Sequence, residues 1–216
     1  MSPRMMMIAK EVKPCLKVYD TGTDHAFIPI YLIQNEVCKS AVASDVRMGP
    51  VRVAQKNISK FNAEEKVSTS LCDGIQNAKG CDCIIIAGMG GQLICDILSR
   101  EKEIAKTAGQ LILQPMNAPE KLRKYLWDNG FVIDSENLCR EKHKVYNVMC
   151  AGFIGYETQY SEVDLHASKY LVEMRHPLLN EYLKPKIKRL SDMLGGGNNP
   201  GSRNSRLLSE IEELVK

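Results

Sequence analysis

Short apolar runs recur along this chain with helix-length segments between them, and that alternation limits the folds open to it. The runs are Val18-Tyr19, Ala41-Val42-Ala43, Val67 to Leu71, Cys83 to Ala87, Leu111-Ile112-Leu113, Phe131-Val132-Ile133 and Val145 to Phe153. Strands separated by a helical crossover pair in parallel, which predicts an α/β sheet with helices packed on its faces. The intervening helices show their ends: Gly49-Pro50 opens one with proline near its first position, Ala118-Pro119 opens another, and Asn129-Gly130 closes it. Between the last two runs lie only residues 134–144, too few for a crossover. These two runs therefore pair as an antiparallel hairpin at the end of the sheet, with Glu141-Lys142-His143-Lys144 near its turn.

After Gly155 the texture changes. Leu178, Leu179, Tyr182, Leu183, Ile187, Leu190, Met193 and Leu194 fall at helical spacing, residues 195–201 interrupt it, and Leu207, Leu208, Ile211, Leu214 and Val215 resume it. This reads as two antiparallel helices with Pro185 kinking the first. The expected organisation is a sheet domain over residues 1–154 and a helical hairpin over 155–216.

With 216 residues, 44% of them apolar and 25% charged, the chain is of ordinary globular composition and long enough to bury a core. The longest apolar run, Ile84 to Met89, is too short to span a bilayer, and Lys10 and Glu11 cut off the run beginning at Met5, so a cytoplasmic protein without membrane attachment is expected. The eight cysteines are scattered, with Cys81 and Cys83 as the closest pair and no C-x-x-C, which argues for small buried hydrophobes and against a metal site. A net charge of +3 says little by itself. Basic residues do cluster, at Arg47, Arg52, Lys56 and Lys60, at Lys121, Arg123 and Lys124, and at Arg140, Lys142, His143 and Lys144. Each cluster taken singly is an ordinary solvated face; three in one domain tilt toward a polyanion.

Acids follow three successive strand patterns. Asp20 ends the first run before a turn on Gly22, after which Asp24 and His25 lead into the helical segment Ala26 to Ile33. Asp45 ends the second, and Asp73-Gly74 follows the third. Singly, these acids read as helix caps or turn residues. In a wound sheet, however, the strand ends line one crevice, so the acids converge. Carboxylates there disfavour a phosphate, and neither a P-loop nor G-x-G-x-x-G is present. Asp45 stands 25 residues after Asp20, a spacing suited to ribose hydroxyls, which leaves Asp73 for an exocyclic amine and Asp20 and Asp24 for an ammonium group. That set suits S-adenosylmethionine. The fourth run ends in Gly88-Met89-Gly90-Gly91, which leaves backbone open to a flat ligand or packs a helix closely on the sheet. Parallel runs closed by an antiparallel insertion make this the Rossmann-like seven-stranded sheet of class I methyltransferases, although the Asn/Asp-Pro-Pro-Tyr/Phe segment common in amino-directed enzymes is missing.

Gly22-Thr23-Asp24-His25-Ala26-Phe27-Ile28-Pro29, Gly49-Pro50, Ala87-Gly88-Met89-Gly90-Gly91, Leu113-Gln114-Pro115 and Lys144-Val145-Tyr146 resemble the bacterial tRNA (adenine-N1)-methyltransferases that act on the adenine at position 22, and the likeness runs over essentially the whole chain. It implies S-adenosylmethionine as methyl donor, tRNA as partner and a C-terminal coiled-coil hairpin that helps to hold the tRNA. On this reading Asp20, Gly22, Asp24, His25, Asp45, Val46, Asp73, Gly74, Gly88, Met89 and Gly90 bind the cofactor. Asp24, His25, Gln114 and Asn117 attend the reacting base, the last two as neutral amides able to read a base edge. Phe27, Tyr31 and Tyr146 offer aromatic faces to an extracted base, with Arg4, Lys186, Lys188 and Arg189 on the tRNA. A monomer is expected. Three positions depart from the family pattern: Met116 stands where Asn is usual, Met48 where Glu is usual and Asn147 where Glu is usual. The residues leave two other readings, a class I methyltransferase with another acceptor and a non-catalytic RNA-binding relative.

Overall fold

The computed structural model describes residues 1–194 and 202–215. Seven strands form one sheet: β1 (Cys15–Thr21), β2 (Cys38–Asp45), β3 (Val67–Leu71), β4 (Cys83–Met89), β5 (Gln110–Pro115), β6 (Phe131–Glu141) and β7 (Lys144–Phe153). Their order is β3-β2-β1-β4-β5-β7-β6. β1 to β5 pair in parallel, whereas β7 is antiparallel to β5 and to β6. The chain runs outward from β1 through β2 to β3, then returns to place β4 on the other side of β1. This switch opens a crevice at the carboxyl ends of β1 and β4.

Side chains alternate across the sheet as strand geometry requires, and they build one core on each face. Val18, Ala41, Ile85 and Ile112 face α1 (Pro3–Glu11), α2 (Phe27–Gln34) and α3 (Met48–Lys60). Tyr19, Ile84, Ile86, Leu111 and Leu113 face α4 (Gly91–Arg100), α5 (Lys102–Thr107) and α6 (Pro119–Asp128). A third core joins Leu138 of β6 to α7 (Glu162–His166), α8 (Lys169–Glu173), α9 (Leu179–Leu194) and α10 (Arg203–Glu213), through Leu171, Leu183, Leu190, Leu207 and Ile211. Asn180 at the start of α9 donates to the Val215 carbonyl just beyond α10, so these two helices run antiparallel. The β6–β7 hairpin thus serves as the ledge on which the helical end is packed.

The strand pattern and the closing hairpin agree with the sequence reading. Proline 50 is the third residue of α3 rather than the first, because the helix begins at Met48. Four helices were not read from the sequence: α1, capped by the Ser2 hydroxyl, and the short α5, α7 and α8. The proposed helix break at residues 195–201 lies outside the described residues.

Candidate active site at the carboxyl ends of β1 and β4

Two cavities meet at the switch point and share Gly22, Ala87 and Gly88 as their common wall. One, of about 330 Å³, is lined by Thr21, Asp45, Val46, Asp73, Gly74, Met89 and Leu93 among others. The other, of about 320 Å³, is lined by Arg4, Asp20, Thr23, Asp24, His25, Phe27 and Gln114 among others. Every acid that the sequence placed after a strand lines one of them.

The glycines that divide the cavities are there for backbone reasons. Gly22 has φ +76°, and a Cβ on it would lie 2.3 Å from Met89 Cε. Gly88, with φ +75°, is a bulge residue: Ala87 pairs with Gln114 and Met89 with Pro115, which leaves Gly88 without a ladder partner. Its N–H is taken up by Gln114 Oε1 at 3.2 Å. The same oxygen accepts from Arg4 Nη1 at 3.1 Å, and Gln114 Nε2 donates to the Pro115 carbonyl at 2.8 Å. Gln114 is fully buried, and these three hydrogen bonds make it a brace for the bulge while it also lines the second cavity, with one N–H of its amide unassigned among the described residues.

On the first cavity's side, Asp45 is buried and its Oδ1 accepts from the Arg47 N–H at 2.8 Å. Its Oδ2 makes no hydrogen bond among the described residues. Asp73 is ion-paired to Arg100 Nη1 at 3.1 Å, and Arg100 Nε is held in turn by Glu101 Oε1 at 2.6 Å. Sequence reasoning missed Arg100: it sits at the end of α4 and meets Asp73 only through the fold. Thr21 lines the same cavity, and its buried hydroxyl has no hydrogen-bond partner among the described residues. These residues fit S-adenosylmethionine: carboxylates for ribose hydroxyls and amines, and two glycines in the wall that let a flat ligand approach the backbone.

Asp20, on the second cavity, is buried, and burial pushes its carboxyl up to about 7, with Thr23 as a partly compensating hydrogen-bond partner. Asp24 and His25 stand at the rim, with side chains 72% and 46% exposed and Oδ2 to Nε2 3.1 Å apart. The His25 ring stacks on Phe27, centroids 5.2 Å apart and planes 14° from parallel. Between them Ala26 takes φ +56° and gives its N–H to Thr23 Oγ1 at 3.2 Å. A non-glycine residue in that conformation is strained, and the turn is held by its surroundings.

Residues 1–149 match the family described as "Methyltransferase domain". The tRNA (adenine(22)-N(1))-methyltransferase of Bacillus subtilis (strain 168) is 30% identical over 169 residues, 77% of this chain and 71% of that relative. The chain belongs to this methyltransferase family. A crystal structure from Streptococcus pneumoniae, described as "a putative tRNA (m1A22) methyltransferase", shares 29% identity and a TM-score of 0.88 over 100% of both chains. The complex of that protein with S-adenosyl-L-methionine shares 28% identity and a TM-score of 0.87, again over 100% of both.

Other predicted site residues of this family member fall outside the two cavities. Asn117 lines a neighbouring cleft and accepts from Gly91 N–H at 3.3 Å through Oδ1, so it braces the glycine turn. Tyr31, one helical turn after Phe27, packs against the first core and lines neither cavity. Tyr146 lies outside them too, with Arg4 Cζ 5.1 Å and Lys144 Nζ 4.9 Å from its ring centroid. Lys186 is not a free surface cation. It falls one turn after Tyr182, so its ammonium lies 4.2 Å from that ring and donates to the His166 carbonyl at 2.8 Å. Burial draws its pKa down to about 7. Lys188 and Arg189 are exposed.

The family departures have structural settings. Met116 Sδ lies 2.7 Å from Arg4 Nη1, whose Nε is paired with Glu141 at 3.1 Å. Asn147 is buried and donates to Glu136 Oε1 at 3.0 Å. Met48 is exposed at the start of α3.

Proposed function

We propose that this chain transfers a methyl group from S-adenosylmethionine to N1 of the adenine at position 22 of tRNA. The observation that carries this reading is the adjoining pair of cavities. One is lined by Asp45, Asp73 and Thr21, and the other has a carboxylate, an imidazole and an aromatic ring side by side at its mouth.

S-adenosylmethionine supplies the electrophilic methyl group when bound. The adenine N1 lone pair forms the new bond in line with the one that breaks, so no enzyme nucleophile and no covalent intermediate are required. The chain's work is then alignment and charge. Asp45 and Asp73 hold hydroxyl and amine groups, and buried Asp20, with Asp24, faces an ammonium. Phe27 and His25 present flat faces to the purine. Asp24 favours the positive charge left on the methylated ring and orients its N6 amine together with His25. Positioning of this kind supplies about 7–11 kcal/mol in favourable cases. Drawing a paired base out of folded tRNA costs about a few kcal/mol.

In this reading residues 1–154 carry the chemistry. Residues 155–216 form a coiled-coil hairpin that contacts tRNA through Lys188 and Arg189, and the protein acts as a cytoplasmic monomer. The test is labelled methyl transfer from S-adenosylmethionine into unmodified tRNA bearing adenine or guanine at position 22. N1-methyladenosine at that position, in the adenine form alone, is expected. Tight cofactor binding without transfer to the adenine form overturns the acceptor.

A further inference from the structure

Beyond the two cavities, the chain holds a cleft of about 600 Å³ between the loop after β5, the start of β7 and α9. It is separated from the catalytic cavity by one side chain. Arg4 Nη1 touches Gln114, which lines the cavity, and Met116, which lines the cleft. Lys144 enters the cleft from the sheet side, and Lys184 and Arg189 enter from α9. All three are exposed and lie beyond 4 Å of every acidic side chain described. The Lys144 ammonium is anchored on the Met116 carbonyl at 2.8 Å, which fixes its place and leaves two N–H groups for a ligand. Of the cleft's two acids, Glu181 is paired with Arg140, and Glu120 makes no ion pair among the described residues, which leaves one unpaired carboxylate against three cations.

We infer that this cleft is a backbone subsite, in which Lys144, Lys184 and Arg189 hold the phosphodiester next to the extracted adenine. The geometry carries this because a nucleotide's base and its phosphates are only a ribose apart. A base in the cavity beside His25 leaves its backbone at the Arg4 wall, where the cations from sheet and helix converge. Phosphate groups answer cations of this kind, and the contacts position the RNA without reading its sequence. The subsite also joins catalytic and helical units in one task, since neither side of the cleft supplies all the cations.

The inference rests on tRNA being the acceptor, and the experiment separates the two. Binding of a D-arm stem-loop RNA containing the target adenine is measured over a range of salt, beside methyl transfer and cofactor affinity, for the full chain. The variants are Lys184→Gln, Lys144→Gln with Lys184→Gln, and Lys39→Gln, whose exposed lysine lies at the opposite, amino end of the sheet. The double variant should weaken RNA binding at least about tenfold near physiological salt. Each lost phosphate contact should also flatten the slope of log affinity against log salt by about 0.7–0.9. Lys184→Gln alone, at a side chain with no hydrogen bond or ion pair among the described residues, should show about half of that change in slope. Lys39→Gln should alter binding less than about twofold. Cofactor affinity should be unchanged throughout. Equal effects from Lys39→Gln and the cleft variants, or an unchanged salt slope, overturn the subsite while wild-type methyl transfer stands. Failure of the wild type to methylate tRNA overturns the parent reading and this one together.

Discussion

Arg123 on α6 and Glu136 on β6 form an ion pair in which neither side chain reaches solvent. Arg123 also donates to the Leu165 carbonyl at 2.6 Å and the Tyr182 hydroxyl at 3.2 Å, while Glu136 accepts from Asn147. The cluster ties the helical end to the sheet. Removing one partner leaves a buried, unpaired charge, which costs about 3–5 kcal/mol. Glu136→Ala is therefore expected to lower the melting temperature by about 10 °C, given about 2–4 °C per kcal/mol at this size. The Asn147 departure belongs to the same cluster: Asn147→Glu would set a second carboxylate against Glu136, so thermal melts should show it destabilised as well.

Asp45 is buried, and the hydrogen bonds expected of its free oxygen are charge-assisted, worth about 1.5–3 kcal/mol. Asp45→Ala should weaken S-adenosylmethionine binding by about 10- to 100-fold in calorimetry. Unchanged affinity would count directly against the ribose assignment.

The raised Asp20 carboxyl makes stability depend on pH. Its folded value of about 7 exceeds the unfolded value, so the folded state retains a proton that the unfolded state has released. The stabilisation is complete below the ordinary carboxylate range and is lost as pH rises through about 7. Denaturation midpoints of the cofactor-free protein should thus fall across that window, and Asp20→Asn should flatten the decline. A cation docking beside Asp20 favours its ionised form, so cofactor affinity should rise by up to about tenfold per pH unit over the same window. Calorimetry in buffers of different ionisation enthalpy should detect the released proton.

Asp24 is largely exposed, so solvent screens its charge and its contribution is smaller than that of a buried donor. Asp24→Asn keeps the shape and removes the charge. It should lower kcat for tRNA by about tenfold, below the 100- to 1,000-fold typical of enclosed electrostatic groups. Loss of cofactor binding with kcat intact would move Asp24 to the cofactor alone.

What was legible in the sequence follows from how local each signal is. Strand runs and the closing hairpin were readable because alternation and spacing are local properties, and the acids at strand ends came with them. The roles of Gln114, Lys186 and Tyr31 were not, since each depends on what the fold brings opposite it. The Gly88 N–H takes up the Gln114 side-chain carbonyl oxygen, Lys186 meets the His166 carbonyl, and Tyr31, one helical turn after Phe27, packs on the first core. Arg100 and the Arg123 cluster were invisible for the same reason: their partners lie on other elements. Helix α1 has a proline-led start and a serine cap, but its packing face is short, and its place beside the site comes from the fold, which sets Arg4, Met5 and Ile8 against the cavity.

The glycine turn after β4 gives a prediction that separates packing from conformational freedom. A Cβ on Gly91 would lie 2.4 Å from the Ala118 carbonyl oxygen and 2.8 Å from that of Asn117, both backbone atoms that cannot swing aside. Ala118 itself has φ +45°, and the Gly91 N–H donates to the Asn117 carbonyl at 3.1 Å, so the two loops are locked together. Gly91→Ala must push the loop carrying Met116 and Asn117 away from the cavities, which predicts a loss of stability of about 1–3 kcal/mol together with a fall in methyl transfer. Gly49 on α3 is the contrast: nothing lies within 4 Å of its added Cβ and its backbone is helical. Gly49→Ala should stabilise by about 0.4–1 kcal/mol, because it restricts the unfolded chain at no cost to the folded one. Paired denaturant titrations check both signs. A destabilised Gly49→Ala beside a neutral Gly91→Ala would mean that the two loops are not packed as described.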